Sequence, residues 1–393
     1  NSRLDEGLTG RTEGSITSGA TYTDSLLKNY RTSGEINFPL TWMAEQTITL
    51  GTEWERSELQ SPNTATRTLT SGANISGLSA TGADSRTHSD LTGIYFEDNI
   101  TATDTTQIIP GLRFDYDNRF GHNFSPSLNI SQELNEDFKV KAGIARAFKT
   151  PNLYQSNPNY LLSSRGNGCP INSGSSPCYL AGNDDLKPEI SINKEFGVEY
   201  NHEGWVAGLT WFRNDYKNKI VSGTEVLGLT RSGTEILQWE NSGKAVVEGL
   251  EGNLSVPLAD AWSFTTNGTY MLQSKDKTTG NPLSIIPKYT VNSSLEWDIN
   301  ASLSANVSYT YYGRQKPRTN AISRNELNNG INQTKVGSYG LVGLGVQYEM
   351  TKNIDLKAGI SNLLDKDIKR RGEGASTYNE PGRAYYVGVT SKF

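Results

Sequence analysis

Between Thr290 and Tyr312 the chain alternates almost residue by residue. Val291, Leu295, Trp297 and Ile299 lie on one side, opposite Thr290, Asn292, Ser294, Glu296 and Asp298. Leu303, Ala305, Val307, Tyr309 and Tyr311 then oppose Ser304, Asn306, Ser308, Thr310 and Tyr312. A period of two marks a strand with one apolar and one polar face. The chain ends the same way, with Tyr385, Val387, Val389 and the terminal Phe393 set against Gly388, Thr390 and Lys392. Such strands build either a half-buried soluble sheet or a membrane barrel, whose apolar face meets lipid and whose polar face lines a lumen.

The connections separate these two outcomes. Strand-like segments are predicted near 27–38, 45–57, 88–99, 105–117, 124–133, 137–149, 190–202, 205–216, 236–256, 261–274, 288–298, 302–316, 338–349, 353–364 and 383–393. Tight turns fall near Asn99–Asp104, Leu134–Asp137, His202–Gly204, Ala259–Ala261, Ile299–Ala301 and Thr351–Asn353. Long polar loops fall near 58–87, 150–189, 217–235, 275–287, 317–337 and 365–382, and residues 1–26 read as a further loop. Short turns on one rim and long loops on the other are the pattern of an outer-membrane barrel with periplasmic turns and extracellular loops. A soluble sandwich has no reason to sort its loops by length, and a propeller would show a blade repeat that this chain lacks. The fold class predicted is therefore all-β, a transmembrane antiparallel barrel. About fifteen strands is an odd number, and an odd antiparallel set cannot close on itself. The expectation is the C-terminal part of a larger barrel, with residues 1–393 carrying neither its first strands nor an N-terminal domain.

Composition agrees and excludes other classes. No apolar run approaches the ~18 residues of a membrane helix. The chain is 35% hydrophobic with 39 Gly, 19 Tyr and 7 Trp, a strand-and-turn composition. Its net charge of −5 argues against nucleic-acid binding. Three scattered histidines, His88, His122 and His202, form neither a metal site nor a triad, and no phosphate loop or nucleophile elbow occurs. No enzyme and no covalent cofactor is expected. Cys169 and Cys178 flank a short polar loop and read as a disulfide of an oxidising compartment, the alternative being two reduced thiols.

Several stretches resemble TonB-dependent siderophore receptors, and among them the ferric enterobactin receptors. These are N-S-R-L-D-E-G-L-T-G-R-T-E-G (1–14), G-I-A-R-A-F-K-T-P-N-L-Y (143–154) with N-P-N-Y (157–160), G-N-D-D-L-K-P-E (182–189), W-F-R-N-D-Y-K-N-K-I (211–220), G-N-P-L-S-I-I-P-K-Y (280–289), Y-G-R-Q-K-P-R (312–318) and T-Y-N-E-P-G-R-A-Y-Y (377–386). The resemblance implies a barrel of about 22 strands around a plug, set in the outer membrane of a Gram-negative bacterium. It implies import of an iron(III)–catecholate siderophore, energised by TonB–ExbB–ExbD through a region outside this chain. Colicins or phage are implied as further partners of the outer loops, alongside outer-membrane lipid. A passive porin-like channel and an outer-membrane lipase are the competing readings; the long anchored loops argue against the first and the scattered histidines against the second.

A ferric catecholate is anionic and edged with aromatic rings, so cations and flat side chains are its natural contacts. Candidate ligand-binding residues in the outer loops are Arg3, Arg11, Tyr154, Tyr160, Arg165, Arg314 and Arg318, with Lys316, Lys335 and the run Lys369–Arg371 as further loop cations. Arg3 occupies the position of a ligand-binding arginine in the resembled receptors. Ile16, Ser163 and Pro170 stand where those receptors carry aromatics, so the preferred catecholate is left open. The segment 182–189, with Pro188 at a strand start, reads as structural.

Overall fold

The structure, a computed structural model, describes residues 2–6, 20–24, 26–60, 86–158, 160–164, 178–223, 225–229, 235–241, 243–319, 330–369, 374–376 and 379–392. In chain order, β1 (Ser2–Glu6) and β2 (Ala20–Asp24) pair as an antiparallel hairpin. The wall begins with β3 (Leu26–Trp42), β4 (Ala44–Gln60), β5 (Arg86–Thr103), β6 (Thr106–Asp117), β7 (Gly121–Glu133) and β8 (Phe138–Lys149). A short helix α1 (Leu153–Ser156) leads to β9 (Leu161–Ser164) and β10 (Cys178–Ala181) before the wall resumes with β11 (Glu189–His202) and β12 (Trp205–Lys217). Next come β13 (Ile220–Ser222), β14 (Gly228–Leu229) and β15 (Glu235–Asn241). The wall then runs on through β16 (Lys244–Ala259), β17 (Trp262–Asp276), β18 (Tyr289–Asn300), β19 (Leu303–Tyr312), β20 (Tyr339–Thr351), β21 (Ile354–Ser361) and β22 (Ala384–Ser391).

Fifteen of these strands form one antiparallel sheet in sequence order, from β3 at one edge to β22 at the other. Its registers keep the two side-chain parities apart. Phe264, Leu295, Val307, Leu344, Ile360 and Tyr385 lie opposite one another across six strands, β17 to β22, as one apolar rung. The adjacent rung is Thr265, Ser294, Ser308 and Gly343. The apolar parity is bounded by aromatic rows. On one side Trp262 stacks on Trp297, their ring centroids 4.9 Å apart, and Phe138 packs on Tyr200 at 5.0 Å. On the other, Tyr270, Tyr289 and Tyr311 follow one another at 6.4 and 5.8 Å. From Trp262 to Tyr270 a strand runs about 27 Å along its own axis at ~3.4 Å per residue, roughly 20 Å of height at a tilt of ~35–45°, of the order of the ~25 Å apolar band between two interfacial girdles. The opposite parity carries polar networks: Glu53 joins Arg31 at 2.6 Å and Arg113 at 3.2 Å, and Arg113 also binds Asp115 at 2.7 Å.

The inner rim is made of tight turns. Glu203 and Gly204, both at positive φ (48° and 84°), close β11 onto β12, the double left-handed geometry that suits a two-residue hairpin. Three differences from the sequence expectation appear. Residues 1–26 are not wholly loop, because β1 and β2 pair there. The single strand expected over 236–256 is two, since β15 pairs with β10 and β13 while β16 belongs to the wall. One outer connection, Asn118–Phe120 between β6 and β7, is as short as an inner turn because Asp117 Oδ1 accepts the backbone N–H groups of Arg119 and Phe120 at 2.8 and 3.1 Å. The fully buried apolar side chains Ile236 and Leu237 lie not in the wall but in a second sheet made by the outer loops.

Candidate functional site

The second sheet joins two outer loops, with strands in the order β13–β15–β10–β9 and β14 alongside β15. β10 and β15 run parallel, pairing Tyr179 with Ile236, Leu180 with Leu237 and Ala181 with Gln238. Alternate residues pack on its two sides, Tyr179, Ala181 and Ile236 on one and Cys178, Leu180 and Leu237 on the other. Burying Ile236 and Leu237 contributes roughly 1.5–3 kcal/mol each, enough to hold two loops together as one body. Cys178 is disulfide-bonded. Cys178 opens β10 opposite Ser164 at the end of β9, where a bond to Cys169, the pairing expected from the sequence, would close the connection between these strands. Cys169 itself lies outside the described residues.

At the foot of this sheet the segment 150–160 folds tightly. Asn152 caps α1: its Oδ1 accepts the Gln155 backbone N–H at 3.0 Å, while Gln155 Oε1 accepts the Asn152 N–H at 3.1 Å, a reciprocal capping box. Arg119, projecting from the short outer turn, donates to Ser156 Oγ at 2.9 Å, to the Ser156 carbonyl at 2.8 Å and to Thr87 Oγ1 at 3.3 Å. Burial draws its guanidinium below the ordinary value, while Asp117 and Asp184 pull the other way. The run 182–189 is the strap on the far side. Gly182 N–H donates to the Tyr160 carbonyl at 2.9 Å and Asn183 N–H to the Gln155 carbonyl at 2.7 Å. The Asn183 side chain donates to the Trp239 carbonyl at 2.8 Å, and Asn241 Nδ2 donates to the Lys187 carbonyl at 2.8 Å. Glu189 accepts the Ile220 N–H at 2.7 Å, with Lys219 at 3.2 Å. These bonds explain why the sequence there is rich in Asn, Asp and Gly.

This framework presents aromatic rings. Tyr154, 37% exposed, lies 5.9 Å from Tyr160 and 6.5 Å from Trp239, centroid to centroid. The two tyrosines singled out from the sequence are thus brought together, and Trp239 joins them from the neighbouring loop. Sequence reasoning missed Trp239 because its segment reads as part of a wall strand, and missed Arg119 because its turn is short. The other candidates fall elsewhere. Arg314 and Arg318 lie in the β19–β20 connection, several strands round the wall from this cluster. The Arg3 backbone pairs with Thr23 in the β1–β2 hairpin, while Arg11 and Arg165 lie outside the described residues. Among the described residues no group of three or more His, Cys, Asp or Glu side chains is placed to hold a metal ion. Flat rings so grouped can contact an aromatic complex; nothing in this cluster combines a nucleophile with a base.

The family profile "TonB dependent receptor-like, beta-barrel" matches residues 2–363. The ferric enterobactin receptor PirA of Pseudomonas aeruginosa is 52% identical over all of this chain and 53% of its own length. The ferrienterobactin receptor of Escherichia coli K12 is 44% identical over all of this chain and 55% of its own. A crystal structure of a mutant ferric enterobactin receptor (PfeA) from Pseudomonas aeruginosa in complex with enterobactin superimposes with a TM-score of 0.88 at 44% identity, over 100% of this chain and 58% of that one. The chain spans about half the length of the curated relatives it matches. It belongs to the TonB-dependent receptor β-barrel family, outer-membrane receptors of Gram-negative bacteria rather than enzymes.

Proposed function

We propose that this chain is the barrel portion of an outer-membrane receptor that binds a ferric catecholate siderophore, ferric enterobactin or an analogue, and imports it with energy passed through TonB. The observation that carries the reading is the aromatic cluster of Tyr154, Tyr160 and Trp239, held at the extracellular mouth by the disulfide-closed loop sheet. Catechol rings stack on such faces, and their iron(III) complex carries the negative charge that Arg3, Arg11 and Arg165 would offset. The iron is cargo here, held by the siderophore's own oxygens. The names and bound ligand of the relatives support the same class of cargo.

The open sheet supports the further reading that the wall is part of a larger barrel. Among the described residues β3 and β22 each pair on one side only, and fifteen antiparallel strands leave these edges pointing the same way. Exposed strand edges are templates for pairing, so further strands of the receptor would complete the wall around a plug. TonB and its ExbB–ExbD motor would act on that plug, and colicins or phage could exploit the outer loops. A passive channel would need no aromatic cage. The discriminating experiment is uptake of radiolabelled iron by cells whose one catecholate receptor is this protein. Uptake of the ferric catecholate should stop when TonB is deleted or the inner membrane is uncoupled. Uptake that persists under both conditions would favour the passive channel.

A further inference from the structure

On the outward parity of the wall, just beyond the row Tyr270, Tyr289 and Tyr311, lies a cavity of about 570 Å³ between the β17–β18 and β19–β20 connections. Four cations line it: Lys275, Lys288, Arg314 and Lys316, all exposed. No carboxylate lines it among the described residues. A neighbouring group of cations behaves differently. Lys194 on β11, Arg213 on β12 and Lys277 just past β17 all converge on Asp215, at 3.2, 3.0 and 2.8 Å, and Arg213 also pairs with Glu248 at 3.3 Å, so each has a carboxylate partner. Around the cavity no ion pair does this among the described residues. Lys288 is nonetheless held in place, with its ammonium 4.8 Å from the Tyr270 ring centroid and donating to the Met271 and Leu272 carbonyls. Its backbone N–H donates to the Arg314 carbonyl at 3.1 Å, which locks the two connections together. Leu272 and Ile286 give the cavity an apolar side, 43% and 41% exposed.

We propose that this cavity binds the phosphorylated headgroup of an anionic lipid of the outer leaflet. Aromatic rows mark the level of the membrane interface, and basic side chains just beyond it attract anionic headgroups. An acyl chain descending from the headgroup would run down the apolar parity past Leu272 and Tyr270, where the register continues into Leu250 and the lipid-facing band. The cargo would not reach this site from the lumen, because the side chains of Gln273 and Lys275 follow the outward parity of their β16 partners Glu248 and Val246. The assignment rests on the membrane placement of the wall and is independent of which siderophore the receptor carries.

Native mass spectrometry of the intact receptor in detergent tests it, with bis-phosphorylated lipid A, its dephosphorylated counterpart and inorganic phosphate as probes. The phosphorylated lipid should be retained and the dephosphorylated one largely lost. Each cation removed should weaken retention about fivefold, so Lys316→Gln loses about fivefold and the double variant Lys288→Gln with Arg314→Gln roughly 30-fold. Lys194→Gln, which removes a cation paired with Asp215 and outside the cavity lining, should leave retention unchanged. Lys316 is exposed, so its substitution keeps the test valid if the double variant fails to fold. Equal retention of the two lipids, or retention unaffected by Lys316→Gln, overturns the proposal. Inorganic phosphate binding as tightly as the lipid would assign the cavity to a soluble anion instead.

Discussion

Gly182 shows how one residue sets the shape of the outer loop around α1. A Cβ there would lie 1.9 Å from the Asn157 carbonyl oxygen and 2.4 Å from its carbon, closer than any relaxation of a side chain can relieve. Gly182→Ala should cost about 1–3 kcal/mol in local stability, visible as faster hydrogen exchange over 150–164 while the wall strands stay protected. Unchanged exchange there would show that the strap is not seated on Asn157. Glu240, in the loop sheet, offers a pH signature. Partial desolvation by the surrounding loop sheet first, and then the charge of Glu225, hold this exposed carboxyl above the ordinary value of 4.5. A raised folded value contributes stability below the unfolded value and loses it as pH rises through the folded one. Protection of β15, corrected for intrinsic exchange, should therefore be greater at pH 4 than at pH 7. Glu240→Gln should flatten the difference; a difference that survives the substitution assigns it to other groups.

At the scale of the strand, the sequence carried most of the wall. Alternation in β18 and β19 predicted the parity observed, because each side chain on a strand has only two faces to choose from. The loop sheet was not legible in the same way. E-I-L-Q-W-E-N at 235–241 runs into Asn-Ser-Gly at 241–243, a turn signal that the single strand expected over 236–256 passed over, and its pairing is decided by a parallel partner, β10, more than fifty residues earlier in the chain. Long-range pairing leaves no local trace, so Trp239 escaped notice while Tyr154 and Tyr160, lying in a recognisable motif, did not. Parity also makes a sharp prediction within one strand. Val307 belongs to the lipid-facing rung and Ser308 to the opposite one. Val307→Lys should destabilise the receptor by roughly 2–4 kcal/mol in a bilayer, whereas Ser308→Lys should cost far less. Urea unfolding of both variants reconstituted in phospholipid vesicles compares them, and equal losses would contradict the assigned faces.

For the whole molecule, the division of labour follows from where apolar surface is hidden. The wall keeps its apolar face turned outward: Val387 on β22 is 83% exposed in the chain alone, which is sensible for a surface solvated by lipid. Compact packing is concentrated instead in the loop sheet, where a binding site needs rigidity. Polar parity faces the lumen with charge networks already paired, as at Arg31, Glu53, Arg113 and Asp115. Under the proposed function, recognition would belong to the mouth and movement of cargo to parts of the receptor that act on the lumen. The central claim is catecholate recognition at that mouth. It is tested most directly by tryptophan-fluorescence titration of the intact receptor with ferric enterobactin, beside a ferric hydroxamate, in wild type, Arg3→Ala and Trp239→Phe. Tight, catecholate-selective quenching is predicted, weakened about tenfold or more by Arg3→Ala and reduced in amplitude by Trp239→Phe. An equal response to both complexes, or none to either, would contradict it.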